Sequence, residues 1–197
     1  ELLLQRIANL YIATIGGMAI LGLLDDAFGS RDAGGFCGHF KKLLLERTLT
    51  TGAIKALGGG LLALAIGASV SKSCGQWIVN SLLIALSANA LNLVDLRPGR
   101  ALGAFTVGLM AVFAAYGFKP AGLIPLGALL PPTIVMVRAD VTGRAMMGDS
   151  GSNALGAALG LGLALGASPN PKLAAIAILV CLHLCCEKYS FPQLIEN

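Results

Sequence analysis

The chain has 197 residues, of which 56% are hydrophobic and only 12% are charged, and its mean hydropathy is +0.79. Soluble domains carry charge on about 25% of their residues, so this composition excludes a water-soluble fold and predicts an integral membrane protein. The net charge is +4. The sequence contains no Walker A or Rossmann glycine pattern, which excludes a soluble-type nucleotide fold. No nucleic-acid partner is expected.

Apolar runs predict the membrane helices. A bilayer core about 30 Å thick needs roughly 20 apolar residues per helix, and this criterion predicts an all-α transmembrane helical bundle of about seven spanning helices. They lie near residues 7–24, 53–70, 75–94, 101–117, 120–137, 153–168 and 172–186. Residues 1–197 are expected to form a single integral membrane domain, as part of a longer chain because the first residue is Glu1 rather than methionine.

Two adjacent carboxylates, Asp25 and Asp26, end the first predicted helix. A helix C-terminus carries a partial negative charge, so acids there need a compensating cation. Successive helical side chains point about 100° apart, so the two carboxylates should have separate roles rather than bind one atom together. The alternative is an acidic marker of the membrane boundary, but ionisable residues at membrane depth are more often functional.

The loop that follows is the longest in the chain and holds Lys41 and Lys42, and Lys55 lies just inside the second predicted helix. Residues 38–47 combine an apolar stretch with a basic flank, so they are predicted to lie as an interfacial helix or to serve as a surface anchor of the fold.

The third predicted helix ends in Asn89, Asn92 and Asp95, which are three residues apart and so lie along one slowly turning face. Polar residues at this depth need partners inside the bundle. Hydrogen bonding between helices by the two asparagines is the structural alternative. Arg97 and Arg100 follow in the next loop and are candidates for binding substrate.

Residues 147–153 read Met-Gly-Asp-Ser-Gly-Ser-Asn and lead into the sixth predicted helix. Asp149 or Ser150 would make an ordinary N-cap there. The same helix start also favours a phosphate or another anion, since glycine allows close approach of the backbone.

The connecting loops alternate in charge, which predicts the topology. Alternate loops hold most of the basic residues, namely Arg31, Lys41, Lys42, Arg47, Arg97, Arg100, Arg138 and Arg144. By the positive-inside rule these loops are cytoplasmic. Nearly all the carboxylates lie on the same side, and acids beside basic residues suggest Mg²⁺ and phosphates.

Three motifs, in this order, resemble those of the polyprenyl-phosphate N-acetylhexosamine-1-phosphate transferase family, which includes the phospho-MurNAc-pentapeptide translocase of peptidoglycan synthesis. Residues 23–26 look like the family's aspartate pair. Residues 89–95 look like its NxxNxxDG segment, and residues 147–152 are similar to its MGDxGS segment.

The resemblance implies a membrane transferase of cell wall biogenesis. The family transfers a phosphosugar from a UDP-sugar to polyprenyl (undecaprenyl) phosphate with Mg²⁺ and releases UMP. Membership implies an integral plasma (inner) membrane protein with its active site on the cytoplasmic face, and leaves a homodimer open. By position, Asp149 would be a magnesium ligand, with Asp25 as a second. Asp25 or Asp26 would position or deprotonate the lipid phosphate.

The remaining roles follow from the same resemblance. Asp95 would lie near the nucleotide or the metal, and one of Lys41, Lys42 and Lys55 would neutralise phosphate. The family usually continues after its NxxNxxD with Gly-Leu-Asp-Gly, whereas this chain has Leu-Arg-Pro-Gly-Arg, so that Pro98 replaces the second aspartate. A catalytically altered homologue that binds lipid or nucleotide is therefore one alternative, and a membrane transporter, whose acids would lie deep within helices, is another.

Overall fold

The computed structural model describes residues 1–29, 50–116 and 120–190, and it gives side chains throughout these ranges except at 120–122 and 187–190. The described chain is helical and contains no strand, which confirms the predicted all-α class. In chain order the helices are α1 (Leu2–Phe28), α2 (Thr51–Val70), α3 (Cys74–Val94), α4 (Arg100–Tyr116), α5 (Pro120–Gly127), α6 (Leu130–Val141), α7 (Gly148–Gly166) and α8 (Pro169–Ser190). The predicted interfacial helix at 38–47 falls outside the described residues.

The helices are those of a membrane protein. Five helical segments are long and apolar enough to cross a bilayer, namely Leu2–Phe28, Thr51–Val70, Cys74–Val94, Leu123–Val141 and Pro169–Cys186. Two further predicted spans correspond to α4 and α7. Helix α4 is shorter, with 17 residues. Helix α7 has 19 residues and is largely enclosed by its neighbours. The outward faces of the long helices carry exposed large apolar side chains, as lipid contact requires.

The fifth predicted span is broken into α5 and α6, with a turn at residues 128–129. Pro125 lies inside α5. Pro131 and Pro132 lie at the first positions of α6, where the missing N–H of proline removes no intrahelical hydrogen bond. The segment was predicted as one helix and is divided at this turn, but the two pieces still supply one apolar span.

Helix α7 is the centre of the bundle. Residues 152–162 are all buried, and α7 packs against α1, α3, α4 and α5. Small residues recur every fourth position on α7, and a Cβ added to Gly160 would lie 2.5 Å from the carbonyl oxygen of Leu83 and 2.7 Å from Cα of Ile84. The backbones of α3 and α7 thus approach too closely for any side chain at this position, which is how small residues associate membrane helices.

The alternating directions of the helices bring four helix ends together. The C-terminal ends of α1 and α3 meet the N-terminal ends of α2 and α7, as the contacts among Asp25, Lys55, Asn92 and Asp149 show. We call this the acidic end of the bundle, because Asp25, Asp26, Asp95 and Asp149 lie there. The C-terminal end of α7 defines the opposite end.

Candidate functional site

The N-terminus of α7 is capped by a residue from α1. Asp26 accepts hydrogen bonds from the backbone N–H of Asp149 at 3.0 Å and of Ser150 at 2.9 Å, one on each carboxylate oxygen. These N–H groups have no partner within α7 because they belong to its first turn. The carboxylate of Asp26 therefore does for α7 what an N-cap side chain does within one helix, with the added attraction of the helix dipole.

This contact corrects the expected cap. Asp149 and Ser150 do not precede α7, since the helix begins at Gly148 and both lie in its first turn. Gly148 has a φ of +62°, and a Cβ added to it would lie 3.0 Å from the Asp26 carboxylate. Glycine is thus required here for its backbone conformation and for the close approach of Asp26. The two N–H groups expected to favour a phosphate are bound to Asp26 instead.

Lys55 lies between two carboxylates that are far apart in sequence. Its Nζ is 2.8 Å from Oδ2 of Asp25 and also forms an ion pair with Oδ2 of Asp149. The three side chains are 16–27% exposed, so the pairs are only partly screened by water. Lys55 is the cation that an acidic residue at the end of α1 was expected to need. Asp25 and Asp26 also have separate partners, as their angular separation predicted.

Asn92 completes this group from α3. With its amide nitrogen turned toward Asp149, it donates to Oδ1 of Asp149 at 2.8 Å while its oxygen accepts from Nζ of Lys55 at 3.0 Å. Both oxygens of Asp149 are then bound, one by an ammonium and one by an amide. Asn89 is half-buried one turn earlier on α3 and makes no hydrogen bond with any described residue, so the structure brings only Asn92 into the group.

Asp95 lies at the C-terminal end of α3, beside the start of α7. Burial, followed by the negative charges of Asp140, Asp149 and Asp26, raises the pKa of the Asp95 carboxyl to about 6, although the backbone N–H of Gly148 acts against this rise. Its Oδ1 is buried and has no hydrogen-bond partner in the described chain. A buried acceptor without a partner is costly, so Asp95 is arranged to receive a proton or a cation.

Two of the basic residues predicted to bind substrate are exposed arginines. Arg97 and Arg100 are exposed in and after the turn that follows α3, and neither forms an ion pair with a described residue. Lys41 and Lys42 lie outside the described residues. Of the three lysines proposed to neutralise phosphate, Lys55 is the one whose contacts the structure provides.

The residues at the acidic end suit Mg²⁺ only together with a substrate. In the described chain no three His, Cys, Asp or Glu side chains are grouped closely enough to hold a metal ion. Mg²⁺ is commonly held by one or two carboxylates, with waters and substrate phosphates as its other ligands. Asp25 and Asp149 supply two carboxylates already arranged around one cation, the Lys55 ammonium, and Asp95 has a free buried oxygen. The donor set therefore fits.

Asp140 belongs to the site region but was not among the residues predicted for it. It is fully buried at the end of α6, and its Oδ2 accepts from the backbone N–H of Gly99 at 2.8 Å. The sequence contains one signal for it, since Asp140 is the single carboxylate of the mostly apolar segment 130–141. That signal did not indicate burial, because Arg138 and Arg144 nearby suggested a solvated loop.

Comparison of the chain with protein-family models, with curated proteins and with solved structures finds no match. The resemblance therefore rests on the three sequence motifs alone.

Proposed function

We propose that the protein transfers a phosphosugar from a UDP-sugar to a polyprenyl phosphate, with Mg²⁺ and with release of UMP, at the cytoplasmic face of the plasma membrane. The resemblance of its three motifs to the polyprenyl-phosphate N-acetylhexosamine-1-phosphate transferases suggests this reaction. The helical membrane fold is compatible with it, since a polyprenyl substrate is confined to the bilayer.

One observation carries the proposal: all three motifs contribute to one group of contacts. Asp25 comes from the first motif, Asn92 from the second and Asp149 from the third, and Lys55 touches each of them. Residues 25, 92 and 149 are far apart in sequence. The directions of the helices place them at one end of the bundle, but helix direction alone does not bring all three into contact with the same lysine. A site common to the three segments is what a shared chemical role requires.

The chemistry is a substitution at phosphorus. An oxygen of the lipid phosphate forms a bond to the phosphorus that carries the sugar, and the bond from that phosphorus to the bridging oxygen breaks. UMP leaves with the electron pair of the broken bond. Both reactants are anionic, so catalysis of such a transfer depends mainly on positioning the phosphates and on neutralising their charge.

The described residues have distinct parts in this reaction. Asp25 positions the lipid phosphate or accepts its proton, whereas Asp26 holds the start of α7. Lys55 neutralises phosphate charge, and Asn92 holds Asp149 in place through Oδ1. Bound Mg²⁺, held by Asp149 and Asp25, would draw charge from the donor phosphates.

The test is exchange of labelled UMP into a panel of UDP-sugars by purified full-length protein, with Mg²⁺ and undecaprenyl phosphate and with EDTA as a control. We expect exchange that requires both the metal and the lipid. Asp149→Asn should reduce it by at least about 100-fold, because loss of one electrostatic group in a phosphate site has effects of this size. Lys72→Gln, a change at an exposed residue next to the opposite end, is the matched control and should retain the wild-type rate.

Full activity of the folded Asp149→Asn variant would contradict the assignment of Asp149. No exchange with any UDP-sugar, from folded wild-type protein, would contradict the transferase and favour an altered homologue in which Pro98 has replaced a needed carboxylate.

A further inference from the structure

Two turns at the acidic end are docked on each other. The first is residues 95–100, between α3 and α4, and the second is residues 141–148, between α6 and α7. A Cβ added to Gly99 would lie 3.3 Å from Cγ2 of Val141, and one added to Gly143 would lie 3.9 Å from Cγ of Pro98. Gly99 and Gly143 have φ values of +81° and +68°, so each turn has a backbone shape that other residues rarely adopt.

Asp140 fastens the two turns together. Its side chain is 0% exposed, and its Oδ2 accepts the N–H of Gly99 across a gap of 41 residues in sequence. Its own backbone carbonyl accepts from Gly143 N at 2.9 Å, and Ala139 O accepts from Arg144 N at 2.9 Å. One buried carboxylate thus joins the first turn to a helix end whose geometry is fixed by its own hydrogen bonds.

A buried carboxylate that accepts only one N–H is costly in free energy. Its other oxygen, Oδ1, is also buried and has no hydrogen-bond partner within the described ranges. An apolar side chain would avoid this desolvation penalty. Packing alone therefore does not explain why an aspartate occupies position 140. Its hydrogen bond to Gly99, which fixes the position of the turn 95–100, does explain it.

The joined turns carry three exposed arginines, Arg97, Arg100 and Arg144. None of the three forms an ion pair with a residue that the structure describes. They lie at the end of the bundle where Asp95 and Asp149 are, because Asp95 begins the first turn and Asp149 follows the second. Guanidinium groups are suited to phosphates, since their planar donors can bind two oxygens at once.

We infer that Asp140 is a positioning residue that holds the turns 95–100 and 141–148 as one arginine platform, and that this platform binds the phosphates of a nucleoside diphosphate donor. The inference rests on the proposed function for the identity of the donor. It adds Arg144 and Asp140 to the site, and it gives the departure at Arg97 and Pro98 a role. Where the family has a second aspartate, this chain has a turn that presents arginines.

The experiment measures equilibrium binding of labelled UDP to purified full-length protein without any lipid acceptor, so that binding is judged separately from transfer. Arg97→Gln and Arg144→Gln should each raise Kd about tenfold, as loss of one charge-assisted contact does. Arg138→Gln is the matched control, because Arg138 is exposed on α6 and lies on neither turn. It should leave Kd within about twofold of wild type.

Asp140 is tested with two substitutions. Asp140→Asn keeps an oxygen that can accept the Gly99 N–H, and it should bind UDP within about threefold of wild type. Asp140→Leu removes the acceptor and should raise Kd about tenfold or more at unchanged thermal stability, since a single lost contact to phosphate has about this effect. If Asp140→Leu does not fold, the arginine variants still decide whether the turns bind UDP. A loss larger than about threefold in Asp140→Asn would then contradict the role given to the hydrogen bond from Gly99.

Equal UDP binding by all variants would overturn the platform, and UMP exchange by the same wild-type preparation would show whether the transferase itself stands. A similar loss in Arg138→Gln would mean that general positive charge attracts the nucleotide, which also overturns it. Absence of UDP binding by the wild-type protein overturns it as well.

Discussion

The two ends of α7 each receive a lysine from another helix, but in opposite surroundings. At the acidic end, Lys55 from α2 contacts the carboxylates of Asp25 and Asp149. At the opposite end, Lys172 from α8 donates to the carbonyl of Ala164 at 2.6 Å and to Oδ1 of Asn80 at 2.8 Å, and it forms no ion pair with a described residue. One lysine is therefore surrounded by acids and the other by neutral acceptors.

The neutral end is explained by structure alone. A helix C-terminus has carbonyl groups without intrahelical partners and a partial negative charge, so a lysine there satisfies both needs. Asn80 in turn donates to Oγ of Ser71 at 2.9 Å, which donates to the carbonyl of Gly67 at 2.6 Å. This chain of hydrogen bonds ties α2, α3, α7 and α8 together through groups that are neutral apart from Lys172.

The acidic end contains more carboxylates than the fold requires. Asp26 alone caps α7, so Asp25, Asp95 and Asp149 add negative charge that the helix end does not need. A site with several carboxylates and one lysine can bind a divalent cation, and the bound cation can in turn bind phosphates. The difference between the ends therefore separates residues that hold the fold from residues available for chemistry.

The largest effect is expected when the acidic end loses its lysine. Lys55→Met should leave Asp25 and Asp149 facing each other without a cation. Removing one partner of a fully buried pair costs about 3–5 kcal/mol, and the loss here should be smaller because these side chains are 16–27% exposed. UMP exchange should fall by about 1,000-fold. The measurements are the exchange rate and the thermal unfolding temperature in detergent.

Lys55→Arg is the control for charge at the same position, and it should recover much of the stability but less of the activity, since a guanidinium does not fit a site built for an ammonium. Wild-type exchange by a stable Lys55→Met protein would contradict the assignment, and it would make the two ends of α7 equivalent.

A smaller contrast is expected between the adjacent residues Asp25 and Asp26. Asp25→Asn removes one charge beside Lys55 and should lower exchange by about 100-fold. Asp26→Asn keeps one of the two acceptor oxygens, and asparagine caps helices about as well as aspartate, so exchange should fall less than about tenfold. Asp26→Ala should also destabilise the protein by about 1–2 kcal/mol through loss of the cap. Equal loss of exchange in both Asn variants, at equal stability, would contradict the separate roles.

The fold was largely predictable because hydropathy determines membrane helices directly. The apolar runs located α2 and α3 to within two residues, but the division of the fifth predicted span into α5 and α6 was not predicted. The direction of each helix followed from the alternation of spans and loops, which is why Asp25, Asn92 and Asp149 were expected at one end.

The individual contacts of the site were not predictable in the same way. The sequence pointed to Asp25 and Asp26 as a pair, but their division between Lys55 and the start of α7 depends on how α1 is rotated against α7. It placed the cap of α7 within its own motif, whereas the cap comes from 123 residues earlier in the chain. Asp140 was missed for a related reason, since its partner Gly99 gives no sequence signal of a hydrogen bond across 41 residues.

The smallest effect on activity is expected at the opposite end. Lys172→Met removes the donor to Ala164 O and Asn80 Oδ1, and leaving buried acceptors without partners should destabilise the protein by about 1–3 kcal/mol. UMP exchange, measured below the unfolding temperature, should stay within about twofold of wild type, because no carboxylate of the acidic end depends on this lysine. Thermal unfolding and exchange on the same sample separate the two quantities. A loss of exchange at full stability would mean that Lys172 acts on a substrate, and the neutral surroundings of a lysine would then be no guide to a structural role in this fold.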